Sequence, residues 1–508
     1  MKKNAKQVLA MVLAALLVCA LFAGCTKTPA SSAAPTTSKT ESGAASQAPE
    51  KLDPVELVLL MNQNVGTGDK QVQDAVNKLD AMKAINTTVK FDMLADGDTF
   101  NDKISLVLSS DEPCDIVVAD ITTNYIDHAK AGAYADITDL IENKYTKLRD
   151  ALLPEHWQLA KVDGKIYGVS TYKEMCGDWG FYISHKFVEE KNINLENRTL
   201  SNIDDILQAL KDDGRETFML TYNQLSFFNS ITQAENYISL SGSNAVVSFD
   251  DPKKVVSFFE TEQFKNMIKQ SRERYQKGLI AADITTVENY KSQLSDETKY
   301  GLQITNHAPL AELPLSASKG FDVDYLKLSP TTMVDNVGWI NCVNAKSKNI
   351  DRAVRFLEVW NTDPTVKNTI TYGIEGVNFD LTDGQVDYSK YPDHSEFWRG
   401  DSSRLGNQMI SYTMVGEPKD KWETYQEYNK TARKVPTSGF FFDKTNVSNE
   451  ITALSAVSKE YTNLLYSGTD ANYEATYETF IKGLKDNGLQ KVIDEAQKQL
   501  DAFYASQK

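Results

Sequence analysis

The chain has 508 residues, 70 of them acidic and 54 basic, for a formal charge of −16, with 41% hydrophobic and 10% aromatic residues. So acidic a body repels phosphate, which excludes the basic-patch binding of nucleic acid and of anionic lipid surfaces. The length exceeds what a single core supports and fits two or three domains.

The chain begins with Lys2, Lys3 and Lys6, followed by an unbroken apolar run from Val8 to Ala23. A charged stretch leading into a short hydrophobic one is the pattern of an export signal, and a permanent span would need about 20 apolar residues. The run closes on Leu21-Phe22-Ala23-Gly24-Cys25. Small residues before a cysteine resemble the lipobox of bacterial lipoproteins, which implies that residues 1–24 are a cleaved signal peptide and that Cys25 is the lipid attachment site. Two acyl chains hold where one does not, at about 0.8 kcal/mol per buried methylene. Removing the three lysines before Cys25 takes the charge from −16 to −19. The stretch to Leu52 is Ser, Thr, Ala, Pro and Lys almost throughout and cannot bury enough surface to fold. It is expected to be a disordered tether over residues 25–52, spanning roughly 30 Å as a flexible coil.

The body opens with VELVLLM (55–61), a continuous apolar run of a strand covered on both faces. Val72, Val76, Leu79 and Met82 then recur at helical spacing behind a possible Asp69 cap, and TTVKFDML alternates as a strand. Phe100, Ile104, Val107 and Leu108 form a second helical stripe, CDIVVAD (114–120) a third strand, and YIDHAKAGA a short helix. This β-α-β-α-β order predicts a parallel sheet with crossover helices. After Ala151, the Asp163-Gly164 pair predicts a hairpin. SNIDDILQALKDDG predicts a helix capped by Ser201 and closed at Gly214, with Ile203, Ile206, Leu207 and Leu210 inward. MVDNVGWINCVN (333–344) reads as a strand, NIDRAVRFLEVWN as a helix burying Ala353, Phe356, Leu357 and Trp360, and the last sixty residues as helices. With Cys25 acylated, Cys114, Cys176 and Cys342 are too few and too far apart for a disulfide framework; Cys114 and Cys342 lie in apolar runs as small buried residues.

No G-x-S-x-G elbow, H-E-x-x-H zinc motif, C-x-x-C pair or P-loop is present, and GTGDKQ has Gln71 where a dinucleotide loop needs its third glycine. The five histidines include no i, i+4 pair. Asp380, Asp383 and Asp387 surround a glycine without the EF-hand spacing or its closing Glu, so a solvated acidic turn is favoured over a calcium loop. No cofactor and no metal are called for, and no carboxylate pair stands out as a glycosidase couple.

The ordered set PCDIVVAD, AGAYADITDLIE, KVDGKIYGVS, WGFYISHKFVEE and TLSNIDDILQALK resembles the extracellular solute-binding lipoproteins of Gram-positive ABC importers, as does NIDRAVRFLEVWNTDPTVKNTITYGIEG. The ending resembles that family's long, roughly 500-residue branch with an extra C-terminal domain. The resemblance implies an α/β, two-lobed, periplasmic-binding-protein-like (type II) fold with hinge-linked lobes and additional C-terminal helices. It places lobe one at 53–168 plus 303–343 and lobe two at 169–302 plus 348–508, with hinges near Val169, Gly301 and Ala345. It implies a monomer, lipid-anchored on the extracellular face of the cytoplasmic membrane, that hands its ligand to the transmembrane subunits of an ABC permease.

Sugars need flat aromatic faces for their C–H surfaces and short polar groups for their hydroxyls. In open α/β sheets ligands collect at the carboxyl ends of the strands. The ligand-binding candidates are therefore Asn62 and Asn64 after the first strand, Asp120, Asn124 and Tyr125 after the third, Trp179 and Tyr182 at the entry to lobe two, and Trp339 near the return crossing, with Glu375 and Asn407 behind them. The favoured function is delivery of an oligosaccharide without chemistry on it. The alternatives are peptide cargo for the same binding protein, or a secreted, membrane-tethered carbohydrate-active enzyme.

Overall fold

The computed structural model describes residues 52–62, 68–94, 98–121, 124–219, 232–240, 244–285, 294–333, 338–391 and 398–506. The signal, Cys25 and the expected tether lie outside them. Residues 52–508 form one compact unit. Its two main sheets are built from β1 (Val55–Asn62), β2 (Thr87–Leu94), β3 (Ile116–Asp120), β4 (Gly168–Ser170), β5 (Cys176–Ser184), β6 (Phe218–Met219), β7 (Leu302–His307), β8 (Val323–Lys327) and β9 (Trp339–Val343). The helices used below are α1 (Asp69–Val76), α2 (Asp98–Ser109), α3 (Tyr125–Lys130), α4 (Asp204–Asp212), α5 (Glu262–Gln276), α6 (Ile350–Thr362), α7 (Pro364–Tyr372), α8 (Lys421–Thr431), α9 (Ser448–Ser467), α10 (Tyr473–Asp486) and α11 (Leu489–Ser506).

The first sheet has the order β2-β1-β3-β9-β4. β1 pairs in parallel with β2 and β3, and β9 runs antiparallel to both β3 and β4. Leu57, Leu59, Leu60 and Met61 are all buried, because helices cover both faces of a parallel sheet and leave no solvent side for polar residues. The predicted first helix is split in two: α1 ends at Val76, and a second short helix, Asp80–Ala84, buries Met82. Gly68, at φ +92°, takes the cap position expected of Asp69.

The second sheet has the order β8-β5-β7-β6, with β5 antiparallel to β8 and β7. Gly180 lets β8 approach closely: a Cβ there would meet the Leu326 carbonyl at 2.1 Å. The stripe of α4 is buried as expected, but Ser201 does not cap it; Thr199 and Asn202 form a capping box on the short turn just before it. α9, α10 and α11 close this half. Leu454, Phe480, Leu484, Val492 and Leu500 share its core with Phe259 and Phe264, the last two in edge-to-face contact at 5.1 Å.

The hairpin expected at Asp163-Gly164 is present, and the acidic turn at Asp383-Gly384 forms a second one. Asp163 (φ +50°) with Gly164 and Asp383 (φ +53°) with Gly384 supply the positive φ angles of a tight two-residue turn. The acidic turn points its carboxylates apart, with Asp380 on Lys390, Asp383 on Lys419 and Asp387 on Thr382. Among the described residues no group of His, Cys, Asp and Glu is placed to hold a metal, and no helix is long and apolar enough to cross a membrane. Cys114, Cys176 and Cys342 are free thiols, all buried.

The division of the chain between the halves differs from the expected one. β7 and β8 belong to the second sheet, so lobe two extends through Leu328. α6, α7 and the stretch from Trp398 to Ala432 pack into the first core, and lobe two resumes only at Phe442. The apolar stripe of α6 fits under β9, its chain neighbour, which carries that helix into lobe one. Val169, Gly301 and Ala345 are accordingly not hinges. Val169 is buried in β4, Gly301 abuts the Glu216 carbonyl inside lobe two, and Ala345 donates to the Ala133 carbonyl inside lobe one.

Among the described residues the chain passes between the cores at 176–181, 328–333 and 432–442. These passages are hydrogen-bonded to one another as a ribbon. Met333 and Thr332 pair with Cys176 and Gly177, Met333 donates to the Arg433 carbonyl, and Arg433 donates to that of Thr331, both at 2.9 Å.

Candidate functional site

The carboxyl ends of β1, β2 and β3 meet the amino end of β9, so Trp339 lies opposite Asp120 in the ladder. Thr171, directly after β4, donates to the Trp339 carbonyl at 3.0 Å. Trp339 is half-buried against the first core, and the Arg404 guanidinium lies over its ring, 4.5 Å from the centroid. Arg404 also pairs through Nε with Asp401 at 3.1 Å.

The loop that carries Arg404 is pinned from below. Lys367, on α7, is wholly buried, and its Nζ donates to the carbonyls of Ser402 (3.0 Å) and Leu405 (2.6 Å) and to the Thr371 hydroxyl (3.1 Å). The two carbonyls flank Arg404, so the backbone there is held while the side chain projects. Burial pulls the Lys367 ammonium down to about 7, since only neutral oxygens offset its desolvation and Asp401 is its one coulombic support.

On the other side of the passages stands Trp179, half-buried in β5. Its carbonyl accepts from Leu328 and Ser329, which places Trp179, itself within the first passage, beside the start of the second. Its indole Nε1 donates to Gln233 Oε1 at 2.8 Å, and the Gln233 amide reaches the Gly177 carbonyl.

Beside Trp179 lies a buried carboxylate. Asp178 is 1% exposed and accepts from the hydroxyls of Tyr325 (2.5 Å), Thr331 (2.6 Å) and Tyr428 (2.7 Å), with Lys327 Nζ at 3.1 Å. Tyr428 comes from α8, which packs on the first core, so Asp178 ties the two lobes. Burial would raise its pKa, but the nearby His307 and the hydrogen bonds from Thr331, Tyr325 and Tyr428 outweigh it and hold the carboxyl well below the usual range. His307 stacks on Tyr325, ring centroids 3.8 Å apart, with Asp178 at 3.6 Å on one side and Glu312 at 3.1 Å on the other. Burial pulls its pKa down, but these two carboxylates prevail and hold it above the ordinary value. The turn that brings Glu312 back places Leu310 at φ +65°, a strained conformation for a branched residue.

Of the expected ligand contacts, Asp120 and Trp339 stand opposite each other in the β3–β9 ladder, Asp120 half-buried, and Trp179 lies within β5 in the first passage. Asn62 is the last residue of β1, its side chain outside what is described, and Asn64 lies outside the described residues. Asn124 is exposed at φ +42°, and its carbonyl starts α3. Three candidates are corrections. Tyr125 is 1% exposed, with its hydroxyl on the Ala160 carbonyl at 2.5 Å, because the inward face of α3 begins at that residue. Tyr182 is 5% exposed and packs with Tyr300 and Val323. Asn407 is 4% exposed and braces the loop, donating to the Asn361 carbonyl and accepting from Met409 N–H. Glu375 is exposed in a turn bridged to Phe379, next to the cluster of Tyr372, Phe379 and Val386. Asp178, Gln233, Lys367 and Arg404 were missed, since none lies in a pattern that marks it.

The family described as "Domain of unknown function (DUF3502)" matches residues 436–505, the span of α9 to α11. A carbohydrate ABC transporter substrate-binding protein of Streptococcus pneumoniae serotype 4 (strain ATCC BAA-334 / TIGR4) is 26% identical over 471 residues, covering 87% of this chain and 93% of that protein. The crystal structure of the N-glycan transport solute binding protein NgtS from Streptococcus pneumoniae superposes with a TM-score of 0.70 at 22% identity, covering 90% of this chain and all of that one. The same protein in complex with Man1GlcNAc gives 0.60 at 22% identity, over 88% and 99% of the two chains. Residues 52–506 have the two-lobed, type II α/β fold of the extracellular solute-binding proteins, with helices added at the C-terminus.

Proposed function

We propose that this protein is the solute-binding subunit of an ABC importer and takes an oligosaccharide between its lobes. The observation that carries the reading is the pair of half-buried tryptophans, Trp179 within the first inter-lobe passage and Trp339 opposite Asp120 in lobe one, together with the hydrogen-bonded ribbon of three passages. A ribbon of that kind can bend while each core stays packed, which is hinge closure. Trp179, Trp339, Asp120, Asn124 and the amides after β1 supply aromatic faces and short polar groups suited to a sugar; Glu375 stands as an outer candidate. The likeness to a carbohydrate substrate-binding protein over 87% of the chain supports the cargo class. The chain would be exported by its first 24 residues, held through diacylated Cys25 and the tether outside the cytoplasmic membrane, and engage the permease as a monomer. Catalysis is no part of this reading.

The test is a thermal-shift and calorimetric screen of the unit Leu52–Lys508 against oligosaccharides and peptides. An oligosaccharide at ~100 times its dissociation constant should add about 2.7 kcal/mol to stability and be recovered intact. Response to peptides alone, or hydrolysis of the glycan, would overturn the reading.

A further inference from the structure

The Trp339 ring is not an open platform. One side of the residue packs on the first core and the Arg404 guanidinium lies over the ring at 4.5 Å, the position a pyranose face would take. The loop beneath is fixed on either side of Arg404 by Lys367 and braced again where Gln408 donates to Ser402 Oγ (2.8 Å) and to the Tyr172 carbonyl (2.8 Å). Backbone movement is thereby blocked, whereas the Arg404 side chain, half-exposed, is attached by a flexible stem. Asp401, exposed, pairs with its Nε at 3.1 Å while the guanidinium covers the ring.

We propose that Arg404 is a displaceable cover on Trp339: a pyranose stacking on the indole takes the place of the guanidinium, which swings aside on its stem while the loop stays fixed. This deepens, and rests on, the oligosaccharide reading above. The cover sets a threshold on what binds. A half-exposed cation–π contact is weak enough for a sugar face to replace, yet strong enough to reject solutes that offer the indole no apolar face. Arg404 is thus a specificity-determining residue that works by occupying the site rather than by contacting the ligand.

The experiment is calorimetric titration of an oligosaccharide identified in the screen into wild type, Arg404→Ala, Trp339→Leu and the double variant, with melting temperatures confirming that each is folded. Arg404→Ala should bind about two- to fivefold tighter than wild type. In the Trp339→Leu background the same change should give no gain, because there is no ring to uncover. Weaker binding by Arg404→Ala would make the guanidinium a direct ligand contact and overturn the proposal, and unchanged affinity would overturn it as well. A gain that persists without Trp339 would do the same. If wild type and all variants bind no oligosaccharide, it is the cargo assignment that fails; if wild type binds and Arg404→Ala does not tighten, only the cover fails.

Discussion

Each tryptophan beside the passages is backed by one buried charge, and the two charges are satisfied in opposite ways. Behind Trp179, the Asp178 carboxylate is met by three hydroxyls, Lys327 and His307, which keep it ionised despite burial. Behind Trp339, the Lys367 ammonium is met by two carbonyls and a hydroxyl, and burial pulls it down to about 7. An ion embedded among its counter-ions resists titration, whereas one embedded among dipoles titrates close to physiological pH. The lobe-two wall is therefore fixed by charge, and the lobe-one wall by a group poised to lose its charge.

The largest effect that would break this contrast is at Asp178. Replacing it with alanine leaves His307 and three hydroxyls without their shared partner and cuts the tie to α8. The expected loss is about 3–5 kcal/mol, read by urea unfolding. Because the folded pKa is depressed, the carboxylate's contribution is fully present above its ordinary value near ~3.9 and is lost as pH falls through the folded one. A loss below ~1 kcal/mol would mean that the network is not cooperative and that the two walls are alike.

Lys367 should give the smaller effect with its own pH signature. Lys367→Met replaces a buried ion by an apolar side chain of similar length, so at pH 6 it should be neutral or stabilising by about 1–2 kcal/mol. As pH rises from about 7 towards 10.5, the unfolded lysine keeps a proton that the folded one has released. Wild-type stability should then climb relative to the variant across that window, since unfolding takes up a proton there. Parallel pH profiles would show that Lys367 stays charged and would remove the contrast with Asp178.

The elements were largely legible because their signals are local. The apolar run of β1 that buries Leu57, Leu59, Leu60 and Met61, the stripe of α6 and the Asp163-Gly164 turn each dictate their own structure. The assignment of β7, β8 and α6 to their lobes was not, since partner choice between sheets depends on contacts far apart in the chain. The site split the same way. Trp179 and Trp339, proposed from strand position, keep part of their surface exposed, while Tyr125, Tyr182 and Asn407 turned inward, which depends on helix phase and strand facing that one residue shifts. Arg404 and Lys367 became visible only once α7 and the loop beyond it met beneath β9.

The smallest effect sharpens the comparison most. At Trp179 the side-chain partner, Gln233, holds the indole edge by a 2.8 Å hydrogen bond and leaves the faces alone; at Trp339 the partner, Arg404, covers the ring. Removing the two partners should therefore move affinity in opposite directions. Gln233→Ala leaves a half-buried N–H donor unpaired and lets the Trp179 ring turn, so oligosaccharide binding should weaken by about threefold, near the net worth of one hydrogen bond. Stability should change by less than ~1 kcal/mol, because Gln233 is only partly buried. Calorimetric titration of the same glycan reads both variants on one scale. If Gln233→Ala tightened binding as Arg404→Ala is expected to, the hydrogen bond at the indole edge would be a restraint on the ring rather than its support, and the two walls would share one mechanism.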